Sequence, residues 1–272
     1  MKYLAALLLL ILSLSLSAAE IVCTTYPIWL LTSSLTHETG LTVDLMTPEH
    51  GGCAHNDTPL PGDLVKVKAP GTILIAHGLK VDDHLIAAAC RANKQLKVVQ
   101  VGYPAKDAHS FASPDTAFFI LIKAAAELIG IYPEKAPQIK KNLEYMLFHT
   151  AKLVERAQNL KSSGKTVVLQ HKIFINLAAL CKVEFMLLKP EQSATVRPRD
   201  LMDLVRSARK KRVNVICAES HNHDPAVKLF ARESKSRIVE LDMLTGGSLQ
   251  VPFDYYVKVM TSNLDKLESV FQ

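Results

Sequence analysis

Eight short runs of mostly β-branched and aliphatic residues recur along the chain in two sets of four, and their spacing limits the folds open to it. The first set is EIVCTT at 20–25, LTVDLM at 41–46, TILIAH at 72–77 and LKVVQV at 96–101. The second is KTVVLQ at 165–170, VEFMLL at 183–188, VNVICA at 213–218 and RIVELD at 237–242. Within each set, successive runs begin 18 to 31 residues apart, which leaves room for the crossover helix that neighbouring parallel strands require. The spacing predicts an α/β fold of two Rossmann-like lobes, each with a four-stranded, mainly parallel sheet. No side-chain pattern repeats between the halves, so the repeat is one of architecture.

Between the sets, Pro133 is placed to open a helix whose apolar positions Ile139, Leu143, Met146, Leu147, Leu153 and Val154 recur at helical spacing, with Ser162-Ser163-Gly164 near its end. A helix of about 30 residues would span about 45 Å and join the lobes as a stiff strut. The expected organisation is a leader at 1–19, an N-terminal lobe at 20–132, a linking helix at 133–163 and a C-terminal lobe at 164–272.

The leader reads as a secretory signal peptide, with Lys2, an apolar run from Leu4 to Leu16, then Ser17 and Ala19 before Glu20. That run is shorter than the ~20 residues a membrane-spanning helix needs, so a soluble, periplasmic protein cleaved from its leader is expected. Cys23 is not read as a lipid-anchor site, because Glu20-Ile21-Val22 lacks the small residues such processing requires. The formal charge of +6 is mildly basic and dispersed, apart from Arg209-Lys210-Lys211-Arg212 at the end of a helical pattern. Cations suit that position against the helix dipole, so no nucleic-acid partner is expected. Five cysteines at 23, 53, 90, 181 and 217 lie far apart without a C-x-x-C pair. Cys90 and Cys217 sit in apolar patterns and read as small buried hydrophobes, while the pairing of the five stays open.

Ten histidines are the unusual resource, and position filters them. Ligands in open α/β sheets bind beyond the carboxyl ends of the strands, so the cleft between two such lobes is where chemistry is expected. His171 directly follows the fifth strand and Asp242 ends the eighth. His55 lies in the loop after the second strand and His109 in the loop after the fourth. Three neutral imidazoles and one carboxylate form a nitrogen and oxygen set that suits zinc and also serves manganese or ferrous iron. Among the others, His77 and His84 read as cleft-lining or surface residues, and His37 and His149 as ordinary helix residues. His221 and His223 read as a solvent-facing pair. Cys53, two residues before His55, reads as structural or disulfide-forming.

These motifs resemble the periplasmic metal-binding receptors of zinc and manganese ABC importers, the cluster A-I solute-binding proteins built on a rigid interdomain helix. In that family a first ligand lies in a Pro-His-x-x-x-Pro-x-Pro-x-Asp loop, matched here by Ala54-His55-Asn56-Asp57-Thr58-Pro59-Leu60-Pro61-Gly62-Asp63. A second motif appears as Asp107-Ala108-His109-Ser110-Phe111-Ala112-Ser113-Pro114, and a third, Ser-His-x-x-Phe, as Gln170-His171-Lys172-Ile173-Phe174. The fourth family ligand, an Asp ending a late strand, matches Asp242. The resemblance spans essentially the whole mature chain, C-terminal helix included, and implies Glu219 as an outer partner of the ligands. Ala54, Ala108, Phe111 and Ser113 depart from the family pattern, so the groups that orient the imidazoles are expected to differ. The His- and acid-rich loop of many zinc members, expected near the first site, is absent; only His50-Gly51-Gly52-Cys53-Ala54-His55 occupies that region.

The resemblance implies capture of a divalent metal, zinc before manganese, and its delivery to a membrane ABC permease by a monomer that catalyses nothing. The alternative is an exported zinc hydrolase with Glu219 as general base. It finds no H-E-x-x-H helix, nucleophile elbow or paired carboxylates in the sequence, and four protein ligands would leave little room for an activated water. A sugar- or amino-acid-binding protein is a weaker third reading, since one Trp and 6% aromatic residues offer few stacking surfaces.

Overall fold

All eight apolar runs form strands in the computed structural model, which describes residues 20–47, 58–162, 164–190, 194–220 and 224–271. In the first lobe these are β1 (Ile21–Cys23), β2 (Val43–Leu45), β3 (Ile73–Ala76) and β4 (Lys97–Gln100). They pair in parallel in the order β2-β1-β3-β4, with Ile21 opposite Val43 on one side and Ile73 on the other. The second lobe repeats this arrangement with β5 (Thr166–Leu169), β6 (Glu184–Leu187), β7 (Val215–Glu219) and β8 (Arg237–Leu241), ordered β6-β5-β7-β8 and again parallel throughout. The inner strands β1, β3 and β7 are buried along their whole length. Strands covered on both faces read as continuous apolar runs, which is why the sequence marks them.

Helices cross over between the strands. In the first lobe they are α1 (Tyr26–Thr36), α2 (Pro61–Val65) and α3 (Asp83–Ala92), followed by α4 (Pro114–Ile131) and α5 (Ala136–Gln158). The second lobe carries α6 (Ile175–Leu180), α7 (Pro198–Lys210), α8 (Pro225–Ser234) and α9 (Tyr255–Phe271). The basic cluster falls as expected, with Arg209 and Lys210 in the last turn of α7. Among the described residues no helix is long and apolar enough to cross a membrane. The leader at 1–19 lies outside the described residues.

The linking helix α5 has 23 residues and so spans about 35 Å, shorter than the sequence pattern suggests. Pro133 opens a separate 3-10 turn, Pro133–Lys135, instead of the helix itself. The helix proper begins at Ala136 with Pro137 in its first turn, where the missing N–H costs nothing. At the other end, the Asn159 N–H turns back onto the carbonyls of Glu155 and Arg156. Arg156 near that end bonds Glu268 of α9 through Nε and Nη2, at 2.7 and 2.6 Å.

One apolar core runs through both lobes. It joins Ile21, Ile75, Leu121 and Met146 to Leu169, Phe174, Leu241 and Tyr256, and each aliphatic side chain so buried stabilises the fold by about 1.5 to 3 kcal/mol. Smaller clusters on the outer faces pack Leu74 and Leu85 in the first lobe and Ile216, Val205 and Phe230 in the second. The cysteines at 23, 90, 181 and 217 are free thiols, while Cys53 lies outside the described residues. Cys217 is buried as expected. Cys90 is only partly so, because it lies on the outer side of α3. Burial first of all pushes the Cys23, Cys181 and Cys217 thiols up to about 12, so they stay protonated and behave as small apolar groups.

Candidate metal centre

The carboxyl ends of β4, β5 and β8 carry three of the four candidate ligands. The chain leaves β4 through Gly102, whose N–H donates to the His77 carbonyl at 2.8 Å. A Cβ at this position would come within 2.4 Å of that same oxygen, so the approach demands glycine. The loop then delivers His109 at the start of a 3-10 turn, Ser110–Ala112. His109 is 3% exposed, and its Nδ1 makes a very short contact with Asp107 Oδ1, which also accepts the His109 backbone N–H at 3.0 Å. Burial pushes the Asp107 carboxyl up, but the hydrogen bonds and charge of His109, with the Lys172 ammonium, outweigh it and hold the group below its ordinary value. An ionised carboxylate only accepts hydrogen bonds, so when His109 is neutral Nδ1 keeps the proton and Nε2 carries the lone pair.

His171 lies two residues beyond the end of β5 and is 1% exposed. Its Nε2 lies 2.9 Å from Glu219 Oε2 at the end of β7, an adjacency created by the pairing of Leu169 with Cys217 across the sheet. The Ile173 N–H makes a long 3.5 Å contact onto Nδ1, so Nδ1 is the accepting nitrogen and Nε2 donates to Glu219. Glu219 is itself placed by its backbone N–H, which donates to Gln170 Oε1 at 2.8 Å, and its Oε1 lies 3.4 Å from Thr245 Oγ1. The Nε2 of the fully buried Gln170 has no hydrogen-bond partner among the described residues, a cost of about 1 to 3 kcal/mol carried beside this pair.

Asp242 sits immediately beyond β8, and its Oδ1 accepts the Leu244 N–H at 2.8 Å. That side-chain turn holds Leu244 at a left-handed φ of 58°. Asn263 of α9 fixes the Asp242 backbone from both sides, accepting its N–H at 3.0 Å and donating to its carbonyl at 2.7 Å. Tyr256 of the same helix donates its hydroxyl to the Phe111 carbonyl at 3.2 Å, so α9 also ties down the turn beside His109. Phe111 packs edge-on against His109, and Phe174 against His171, which fills the apolar side of each ring.

Among the described residues, no three His, Cys, Asp or Glu side chains gather as a group that could hold a metal ion. What the structure brings together are two imidazole–carboxylate pairs, one per lobe. The fourth candidate, His55, lies outside the described residues, as do Cys53, His221 and His223. His77, expected to line the cleft or the surface, is instead fully buried. Its Nδ1 lies 2.9 Å from the Gly78 carbonyl and its Nε2 2.8 Å from Ser110 Oγ, so it braces the loop that carries His109. His84 is exposed on α3. His37 stacks on Phe253, and His149 lies within α5 beside Tyr145 and Phe148.

Asp107 was legible as the Asp-x-His spacing but carried no role of its own in the sequence reading. Asn176 was missed. Its Nδ2 donates to the carbonyls of Asp107 and His109 at 2.9 and 3.1 Å, and its Oδ1 accepts the Asp107 N–H at 3.0 Å. The available signal was one amide inside the otherwise apolar helix INLAAL, since a buried polar side chain implies a partner.

Residues 21–270 match the family model described as zinc-uptake complex component A periplasmic. No curated protein matches the sequence, but solved structures share the fold. The solute-binding protein FpvC of Pseudomonas aeruginosa in complex with Mn2+ superposes with a TM-score of 0.80 at 20% identity, covering 93% of this chain and 97% of that one. The laminin-binding protein Lmb of Streptococcus agalactiae, described as having adhesin and metal-transporting activity, gives 0.76 at 19% identity over 93% and 99%. The Mn-bound periplasmic metal-binding protein from Candidatus Liberibacter asiaticus gives 0.78 at 17% identity over the same shares. The matched family comprises extracytoplasmic solute-binding proteins of metal-importing ABC systems, not enzymes, so the hydrolase reading with Glu219 as base falls away. By this match over nearly its whole length, the chain belongs to the zinc-uptake complex component A periplasmic family.

Proposed function

We propose that this chain captures one divalent metal ion, zinc ahead of manganese or ferrous iron, in the crevice between its lobes and hands it to an ABC permease. The ligands of this reading are His55, His109, His171 and Asp242, with Asp107 and Glu219 behind the imidazoles. One observation carries it: His109 and His171 are both buried, and each is bonded through one ring nitrogen to a carboxylate. Metal-ligating histidines are held in this way, because the outer carboxylate selects the tautomer and strengthens the opposite nitrogen as a donor. His109 would bind through Nε2 and His171 through Nδ1, the ion displacing the long Ile173 contact. A borderline cation suits such nitrogen and oxygen donors, and the buried Cys23, Cys181 and Cys217 stay protonated. Cleavage of the 1–19 leader would deliver the protein to the periplasm as a monomer.

The deciding experiment strips the protein of metal and titrates it with zinc and manganese in competition. One ion per chain, with zinc bound more tightly, is the expected result; no saturable binding of either would overturn the reading. Because imidazole must be neutral to coordinate, affinity is expected to fall below about pH 6.5.

A further inference from the structure

We propose that Asn176 is an interlobe latch, a positioning residue that keeps His109 in register with His171 and thereby slows release of the bound metal. This rests on the metal-capture reading above. Asn176 lies at the start of α6 in the second lobe and is 3% exposed. Its side chain reaches the first lobe, where it satisfies both the N–H and the carbonyl of Asp107 and the carbonyl of His109. A single amide thus uses its acceptor and both of its donors on the backbone of one short loop. That loop carries a candidate ligand together with the carboxylate that orients it.

The latch belongs to the same stretch of chain as the second imidazole. From His171 the backbone passes through the 3-10 turn Lys172–Phe174 straight into α6, so four residues separate His171 from the amide that grips the His109 loop. Any displacement of the 171–176 segment is therefore transmitted to the 107–109 loop, and the two imidazoles move as a unit. Without the amide, the N–H and carbonyl of Asp107 lose this partner and the His109 carbonyl keeps only the Ala112 N–H, so the loop pivots independently of the second lobe. The ion would then meet a pair of ligands whose separation fluctuates. Capture would still occur, but loss of one imidazole would no longer be opposed by the fixed position of the other.

A matched control exists elsewhere in the fold. Asn142 of α5 is also buried, and its Nδ2 donates to the carbonyls of Leu35 and His37 at 2.9 and 2.7 Å, away from any candidate ligand. Asn176→Ala and Asn142→Ala remove the same chemistry and are expected to lower thermal stability alike. Only Asn176→Ala should alter the metal: zinc leaving the loaded full-length protein into excess chromophoric chelator is expected about 10-fold faster than from wild type. Asn176→Ser, which retains one donor, should fall between the two and carries the comparison if the alanine variant does not fold. Wild-type release from Asn176→Ala or Asn176→Ser, or equal acceleration by Asn142→Ala, would overturn the latch. A wild-type protein that holds no zinc overturns the metal reading itself, a distinct outcome seen before any variant is made.

Discussion

The two lobes share one sheet order and one direction of strands, yet they equip their imidazoles in opposite ways. In the first lobe the orienting carboxylate lies two residues before its histidine in the same loop, so the Asp107–His109 pair is a local feature of sequence. In the second it arrives from the neighbouring strand, 48 residues downstream, and His171 meets Glu219 only because β5 and β7 pair in register. The local pair is partly wet, with the Asp107 side chain 12% exposed, while the Glu219 side chain is 4% exposed. A carboxylate in the drier environment interacts more strongly with its partner, so the second lobe should contribute more to holding the ion, and the first more to adjusting around it.

The largest effect is expected from removing a ligand. His171→Ala and Asp242→Ala should each lower zinc affinity by about 100-fold or more while the circular dichroism of the stripped protein stays as in wild type. Calorimetric titration checks this, and an unchanged affinity would remove that residue from the ligand set. Next come the orienting groups, whose loss in metal sites costs about 10 to 100-fold. Glu219→Gln should fall near the upper figure and Asp107→Asn near the lower; the reverse order would break the contrast between the lobes.

A pH series sharpens the same contrast without metal. The Asp107 carboxyl is held below its ordinary value of 3.8, burial opposing this and His109 and Lys172 prevailing. A carboxyl depressed on folding stabilises the protein above its unfolded value and loses that contribution as pH falls through the folded value. Urea unfolding of the stripped protein should therefore show a constant gap between wild type and Asp107→Asn near neutral pH, closing as pH drops below 3.8. A gap unchanged down to pH 2.5 would contradict the pairing. The smallest effect lies outside the site. Arg156→Lys loses the forked contact with Glu268 at the end of α5, but the pair is substantially solvated and the expected cost is under about 1 kcal/mol.

The sequence revealed the lobes because buried parallel strands must be apolar along their length, and Ile73–Ala76 and Val215–Glu219 cannot be mistaken for half-exposed ones. Strand order also put His171 and Asp242 at the carboxyl ends of β5 and β8 and His109 in the loop that follows β4. The sequence could not reveal what meets across the sheet or between lobes. The Glu219–His171 contact depends on strand register, and the amides of Asn176 and Asn263 depend on how helices from one part of the chain lie against loops of another. His77 misled for a related reason: its place after β3 suggested the cleft, but Gly102 lets the next strand exit close enough to cover it. The length of α5 was overestimated at both ends: Pro133 opens a 3-10 turn before the helix, and at the other end the Asn159 N–H folds back onto Glu155 and Arg156 ahead of Gly164.

Zinc-edge X-ray absorption of the one-to-one complex tests most directly whether imidazoles from both lobes meet on one ion. Wild type should show the multiple-scattering signature of imidazole rings, weakened by about one ring in His109→Ala and again by about one in His171→Ala. A spectrum without imidazole scattering, or one that either substitution leaves unchanged, would contradict the account.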